Sequence, residues 1–199
     1  MDNRNERGFN ELRGYFIDEG GFLSSMDQPA EVSVLEQGPL FVKVAVKGKI
    51  GKYSFTQTIR LTQGEPRIDM SVKLDWTGNP RIGEPGIEFR ADNPRKAFYD
   101  DRYKLLVYLP TQIANQQIYK DAPFDVCESR LENTFFNRWD SIKHNIILNW
   151  VDVASKDNSC GLSLFTDHTT SYAHGKDFPL ALNVQYAGKG LWGRDYIID

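Results

Sequence analysis

Residues 40–76 read LFVKVAVKGKIGKYSFTQTIRLTQGEPRIDMSVKLDW, and the apolar side chains in this stretch fall at nearly every second position. Val42, Val44 and Val46 share one parity, and Tyr53, Phe55, Ile59 and Leu61 share the next, opposed by Ser54, Thr56, Thr58 and Arg60. Ile68, Met70, Val72, Leu74 and Trp76 repeat the pattern against Asp69, Ser71, Lys73 and Asp75. A period of two puts alternate side chains on opposite faces of an extended chain, so these runs are half-buried strands. Gly48, Gly51, Gly64 and Pro66 punctuate them, which predicts antiparallel returns in a meander. Three strands do not bury an apolar face by themselves, so a second sheet is expected against it, roughly 10 Å away.

Outside this stretch, residues 11–18, 31–36, 103–109, 124–128, 148–153, 161–166 and 180–186 also read as strands, and 86–90 as a short edge strand. Residues 22–27 and 171–175 read as loops, 157–159 as a turn, and 111–120 favour neither state. Helical spacing competes in one place: Leu131, Phe135, Trp139, Ile142 and Ile146 recur at intervals of three and four. No glycine stops that pattern, and a loop with a helical turn is the favoured reading. The expected fold class is all-β, an antiparallel super-β-sandwich with few short helical turns. Residues 1–10 are expected to form a flexible approach and 11–199 a single domain.

The 24 basic and 27 acidic residues nearly cancel and no basic run occurs, so neither nucleic acid nor an anionic membrane is an expected partner. No apolar run approaches the roughly 20 residues that span a bilayer, and residues 1–7 are polar where a signal peptide turns apolar. The chain as it stands is expected to be soluble, with no compartment indicated. Cys127 and Cys160 are too few for a disulfide framework and wrongly spaced for zinc. Aromatic residues make up 13% of the chain, which suits sugar rings in a cleft but is met more simply by a core and by strand propensity.

Two carboxyls about 5 to 5.5 Å apart can act together as nucleophile and acid. The nearest pairs in the sequence are Asp100 with Asp101 and Glu84 with Glu88. Neighbouring strand residues point to opposite faces, so a solvated turn accounts better for the aspartates, and neither pair is read as catalytic. His168 and His174 share a parity only if the chain between them is extended, and together with Asp167 they match no zinc spacing. No metal site is expected in this chain.

Four blocks carry a family resemblance. They are NELRGYFIDEGGFLSS at 10–25; VLEQGPLFVKVAVKGKI with FTQTIRLTQGEPRIDMSVKLDW between 34 and 76; FDVCESR leading to NWVDVA between 124 and 154; and GLSLFTDHTTSYAHGKDFPLALNVQYAGKGLWGRDY at 161–196. In this order they resemble the carboxy-terminal β-sandwich region of glycoside hydrolase family 38, the α-mannosidases, with residues 77–120 matching least. The resemblance implies a galactose-mutarotase-like fold. It also implies that the nucleophile, the acid and the zinc ligands belong to an N-terminal catalytic domain absent from this chain, which then is a fragment whose Met1 is not the natural start. Zinc is expected in that absent domain and no cofactor here. The implied partners are the chain's own catalytic domain and a mannoside substrate, with a homo-oligomer possible.

Because sandwich regions of that family help to wall the substrate cleft, Asp167, His168, Tyr172, Trp192 and Arg194 are candidates for contact with sugar hydroxyls or with the catalytic domain. The first three belong to a polar, aromatic segment that follows an apolar strand. Arg194 offers planar donors, although an ion pair with Asp195 or Asp199 explains it more simply. Trp192, set between Gly190 and Gly193, reads as an interface anchor before a sugar platform. A carbohydrate-binding or scaffolding module is the alternative function, and a mutarotase-like epimerase using His168 or His174 a weaker one.

Overall fold

The computed structural model describes residues 7–83, 101–129, 145–175 and 178–185, together with the backbone of 188–189 and 195–196. Among the described residues strands dominate, and every strand pairing is antiparallel. The alternating stretch of residues 40–76 forms β4 (Phe41–Ile50), β5 (Tyr53–Thr62) and β6 (Ile68–Asp75), and β3 (Glu31–Gln37) joins them in a four-stranded sheet of order β3-β4-β5-β6. A six-stranded sheet runs β10 (Ile146–Ile147), β13 (Thr170–Gly175), β14 (Phe178–Gln185), β7 (Leu105–Tyr108), β1 (Glu11–Phe16) and β2 (Gly21–Ser24). A third sheet orders β12 (Gly161–Phe165), β11 (Trp150–Ser155), β8 (Gln116–Ala122) and β9 (Asp125–Ser129), and β15 (Gly188–Lys189) pairs with β16 (Asp195–Tyr196). The single helical element among the described residues is a 3₁₀ turn, Asp101–Tyr103. No helix there is long and apolar enough to cross a membrane.

The three larger sheets share one core because of a single row of side chains. Leu12, Val107, Leu182 and Tyr172 stand opposite one another across β1, β7, β14 and β13. Directly paired residues of antiparallel strands point to the same face. Leu12 and Val107 pack with Ile50, Tyr53 and Phe55 of the β3–β6 sheet, Tyr172 packs with Ile118, Val151 and Val153 of the β8–β12 sheet, and Leu182 touches both groups. Both four-stranded sheets therefore lie against one face of the six-stranded sheet, the super-sandwich anticipated above. The opposite face carries a smaller buried cluster of Leu106, Tyr108, Ala173 and Ala181. Burial pushes the Tyr108 phenol up to about 12.

The expected sheet on the greasy face of β4–β6 is present, but it covers only part of that face. Tyr53 and Phe55 are buried, and Val46, Val72, Leu74 and Trp76 are packed against them. Further along the same face the rows Val34–Val44–Ile59–Met70 and Val42–Leu61–Ile68 run past the six-stranded sheet, leaving Val34 at 59%, Leu61 at 46% and Ile68 at 49% exposure.

Other expectations change on folding. Residues 22–24 form part of β2 rather than a loop, because Phe22 pairs with Tyr15 and meets its ring edge-on at 5.2 Å. Of residues 111–120, 116–120 form the start of β8 and 111–115 stay irregular. Residues 171–175 are strand β13, not a loop, held between β10 and β14. Asp101 lies in no solvated turn: it is 1% exposed, 2.5 Å from Lys104 Nζ and 3.3 Å from Ser171 Oγ, and it accepts from Asn145 Nδ2. Asp100, Glu84, Glu88, His144, the short strand read at 86–90 and the ambiguous segment from 131 to 144 lie outside the described residues.

Candidate functional site

Strand β12 ends at Phe165 and the chain turns into β13 through Thr166–Thr169, which places Asp167 and His168 at the rim of the β8–β12 sheet. Thr166 anchors the turn: its amide donates to the Asn149 carbonyl at 2.6 Å, and its hydroxyl lies 2.8 Å from the His168 carbonyl and 3.1 Å from that of Asn149. His168 Nδ1 sits 2.5 Å from Asp167 Oδ1, and both side chains are open to solvent, at 63% and 95%. The imidazole hydrogen bond and its charge hold the Asp167 carboxyl below its ordinary range.

Asn149 is fixed in turn by Asp121. This carboxylate accepts the amides of Leu148 at 3.0 Å, Asn149 at 2.7 Å and Trp150 at 3.2 Å, with the Asn149 side chain at 3.1 Å. Burial presses Asp121 upward, but the amide of Trp150, the side chain of Asn149 and the amides of Asn149 and Leu148 outweigh it, and the group stays below the usual carboxylate range. A depressed folded value contributes stability that is complete above the unfolded value of about 4 and fades as pH falls through the folded one. Asp121→Ala is expected to destabilise the fold by about 2–3 kcal/mol at neutral pH. Urea unfolding at several pH values checks this, because the gap from the parent chain should narrow below about pH 4.

Tyr172 departs from the surface role expected of it. It stands on β13 at 0% exposure, its hydroxyl bonded to Ser129 Oγ of β9, and burial pushes the phenol up to about 12. The physical reason is parity: on a paired strand Tyr172 joins the inward row with Leu182, so its ring belongs to the core. His174 shares that inward side. Its Nε2 meets Gln116 Oε1 at 2.6 Å and its Nδ1 the Phe178 carbonyl at 2.9 Å, and burial holds it below the ordinary histidine range against the pull of the Phe178 and Pro179 carbonyls. His168 and His174 are thus separated, one exposed and one buried. Trp192 and Arg194 lie outside the described residues.

Among the described residues no three His, Cys, Asp or Glu side chains converge on a point that would hold a metal ion. Cys127 and Cys160 are both free thiols. Residues that sequence reasoning missed are Asp121, Asn145 and Asp101. Only the apolar run that follows Asn145 hinted at buried bonding, and Asp101 in its polar stretch carried no such signal.

A family model, the glycosyl hydrolases family 38 C-terminal domain, matches residues 15–183. The chain belongs to that family. No curated protein and no solved structure matches it. As a family 38 C-terminal domain it stands in a glycoside hydrolase context, and the match runs from β1 through β14.

Proposed function

We propose that this family 38 domain is the sandwich part of an α-mannosidase that hydrolyses terminal α-mannosides with retention. In this reading it supports a catalytic part N-terminal to it and helps to wall the substrate cleft. The observation that carries the reading is the uncovered half of the β3–β6 sheet. An apolar face left open to this extent, on a sheet whose opposite face carries ion pairs such as Lys43–Glu36 at 3.6 Å and Arg67–Asp69 at 2.9 Å, suits a neighbouring domain better than water. The three buried acids among the described residues are committed to structure, Glu11 to the Ser24 hydroxyl and the Gly8 amide, Asp101 to Lys104 and Ser171, and Asp121 to backbone amides. The described residues do not fit a zinc centre. In this reading the nucleophile, acid and zinc ligands belong to the catalytic part, and no step is routed through this chain. The exposed turn at Asp167 and His168 remains a candidate for contact with that part or with sugar hydroxyls.

Two measurements test the reading. The chain alone is expected to release no phenol from an aryl α-mannoside, and turnover unaffected by a chelator would overturn the assignment. In addition, Val34→Lys with Ile68→Lys is expected to cut binding of an apolar fluorescent dye several-fold while leaving stability within about 0.5 kcal/mol. Unchanged dye binding would show that the face is not an open docking surface. A second reading, a carbohydrate-binding or scaffolding module, is favoured by one observation, the outward aromatic residues of β11 and β12.

A further inference from the structure

In the β8–β12 sheet, Ile118, Val151, Val153, Leu162 and Leu164 point inward to the core. Residues of the other parity face away from it. On that outer face the registers bring Phe165 opposite Trp150, and align Ser163, Asp152, Tyr119 and Glu128 in one row across four strands. Tyr119 lies diagonally from Trp150, about 7–8 Å away by sheet geometry. Phe165, Trp150 and Tyr119 thus mark a diagonal path over three adjacent strands, roughly 10 Å wide. Phe165 is 75% exposed, far more than a core or strand-propensity role requires.

The polar groups beside the path indicate what kind of ligand it suits. The outward positions of these four strands carry no Lys or Arg, so an anion finds no counter-charge. Of the three outward acids, Asp121 is occupied by amides and Asp152 accepts the Ser163 hydroxyl at 2.6 Å, which leaves Glu128 as the exposed acceptor beside Tyr119. A single such charge is a weak attraction for a basic segment. Aromatic faces flanked by hydrogen-bond acceptors suit a neutral ligand with apolar C–H faces and many hydroxyls.

We propose that the outer face of β8, β11 and β12 is a non-catalytic binding site for a neutral saccharide of two or more residues. The rings stack on Phe165, Trp150 and Tyr119, and a hydroxyl donates to Glu128. The site goes beyond the mannosidase reading and does not depend on it, since ring stacking and hydroxyl acceptance are not peculiar to mannose.

Calorimetric and NMR titration of the full chain with α-mannobiose, cellobiose and a Lys/Arg-rich peptide tests it. Saturable binding of at least one disaccharide is expected, weakened about tenfold by Trp150→Ala and by Phe165→Ala and unaffected by Leu61→Ser on the distant sheet. Phe165 is exposed enough that its variant folds even if the Trp150 variant does not. Failure of both disaccharides to bind, binding that survives Phe165→Ala, or tighter binding of the peptide at the same residues would each overturn the proposal. Binding of cellobiose but not mannobiose would leave the site standing and weaken the mannoside reading instead.

Discussion

Phe16→Ala is expected to lower the free energy of unfolding by about 3–5 kcal/mol, the range for emptying a filled aromatic position in a core. Phe16 is 1% exposed at the end of β1, its ring stacked on Tyr53 at 5.6 Å and 6.4 Å from the Trp76 ring. It therefore fills the seam between the six-stranded sheet and the covered end of the β3–β6 sheet. Truncation removes its transfer free energy and leaves a cavity that paired strands on both sides prevent from collapsing. Ile68→Ala is the matching control, since Ile68 carries the same stripe but is half exposed, and its truncation is expected to cost less than about 1 kcal/mol. Urea unfolding of both variants decides the matter. Similar losses would mean that the two halves of the stripe are equally covered, contrary to the packing described here.

Asp101→Ala is expected to cost a comparable 3–5 kcal/mol, for a different reason. Its carboxylate meets Lys104 within its own turn, Asn145 just before β10 and Ser171 on β13, so it ties together segments far apart in the chain. Removing it takes from a buried ammonium and a buried amide an acceptor that they share, and the desolvation already spent on them is then less fully offset. Asp101→Asn, which keeps one acceptor oxygen and the volume, is expected to recover part of the loss. Thermal unfolding should show a fall of roughly 6–20 °C for the alanine variant. A change below about 1 kcal/mol would return Asp101 to the role of an ordinary turn residue.

These residues show where sequence reading succeeds and where it stops. The strands from Phe41 to Asp75 were legible because alternation is a property of adjacent side chains, and β-hairpins form between neighbours in sequence. Asp101, beside another aspartate in a polar stretch, looks like a turn, and only the arrival of residues 145 and 171 shows why it is buried. Tyr172 reads as a loop aromatic among Thr169, Thr170, Ser171 and His174, all of which suit a loop equally well. Pairing with Leu182 places it in the core. Asp167 and His168, read as part of a polar segment following an apolar strand, stand in an exposed turn. The outward aromatic path was not legible, because Tyr119, Trp150 and Phe165 come from three separate stretches that meet only through strand register.

By itself the order of residues determined an all-β chain of antiparallel strands, one apolar stripe per strand, and a kinship with the family 38 C-terminal domain. Tertiary structure alone decided that two sheets share one face of a third, that the stripe of β4–β6 is only half covered, and which polar groups are sealed inside. The reason is the range of the interactions: stripe and turn are written between neighbours a few residues apart, whereas coverage depends on which distant sheet comes to lie opposite.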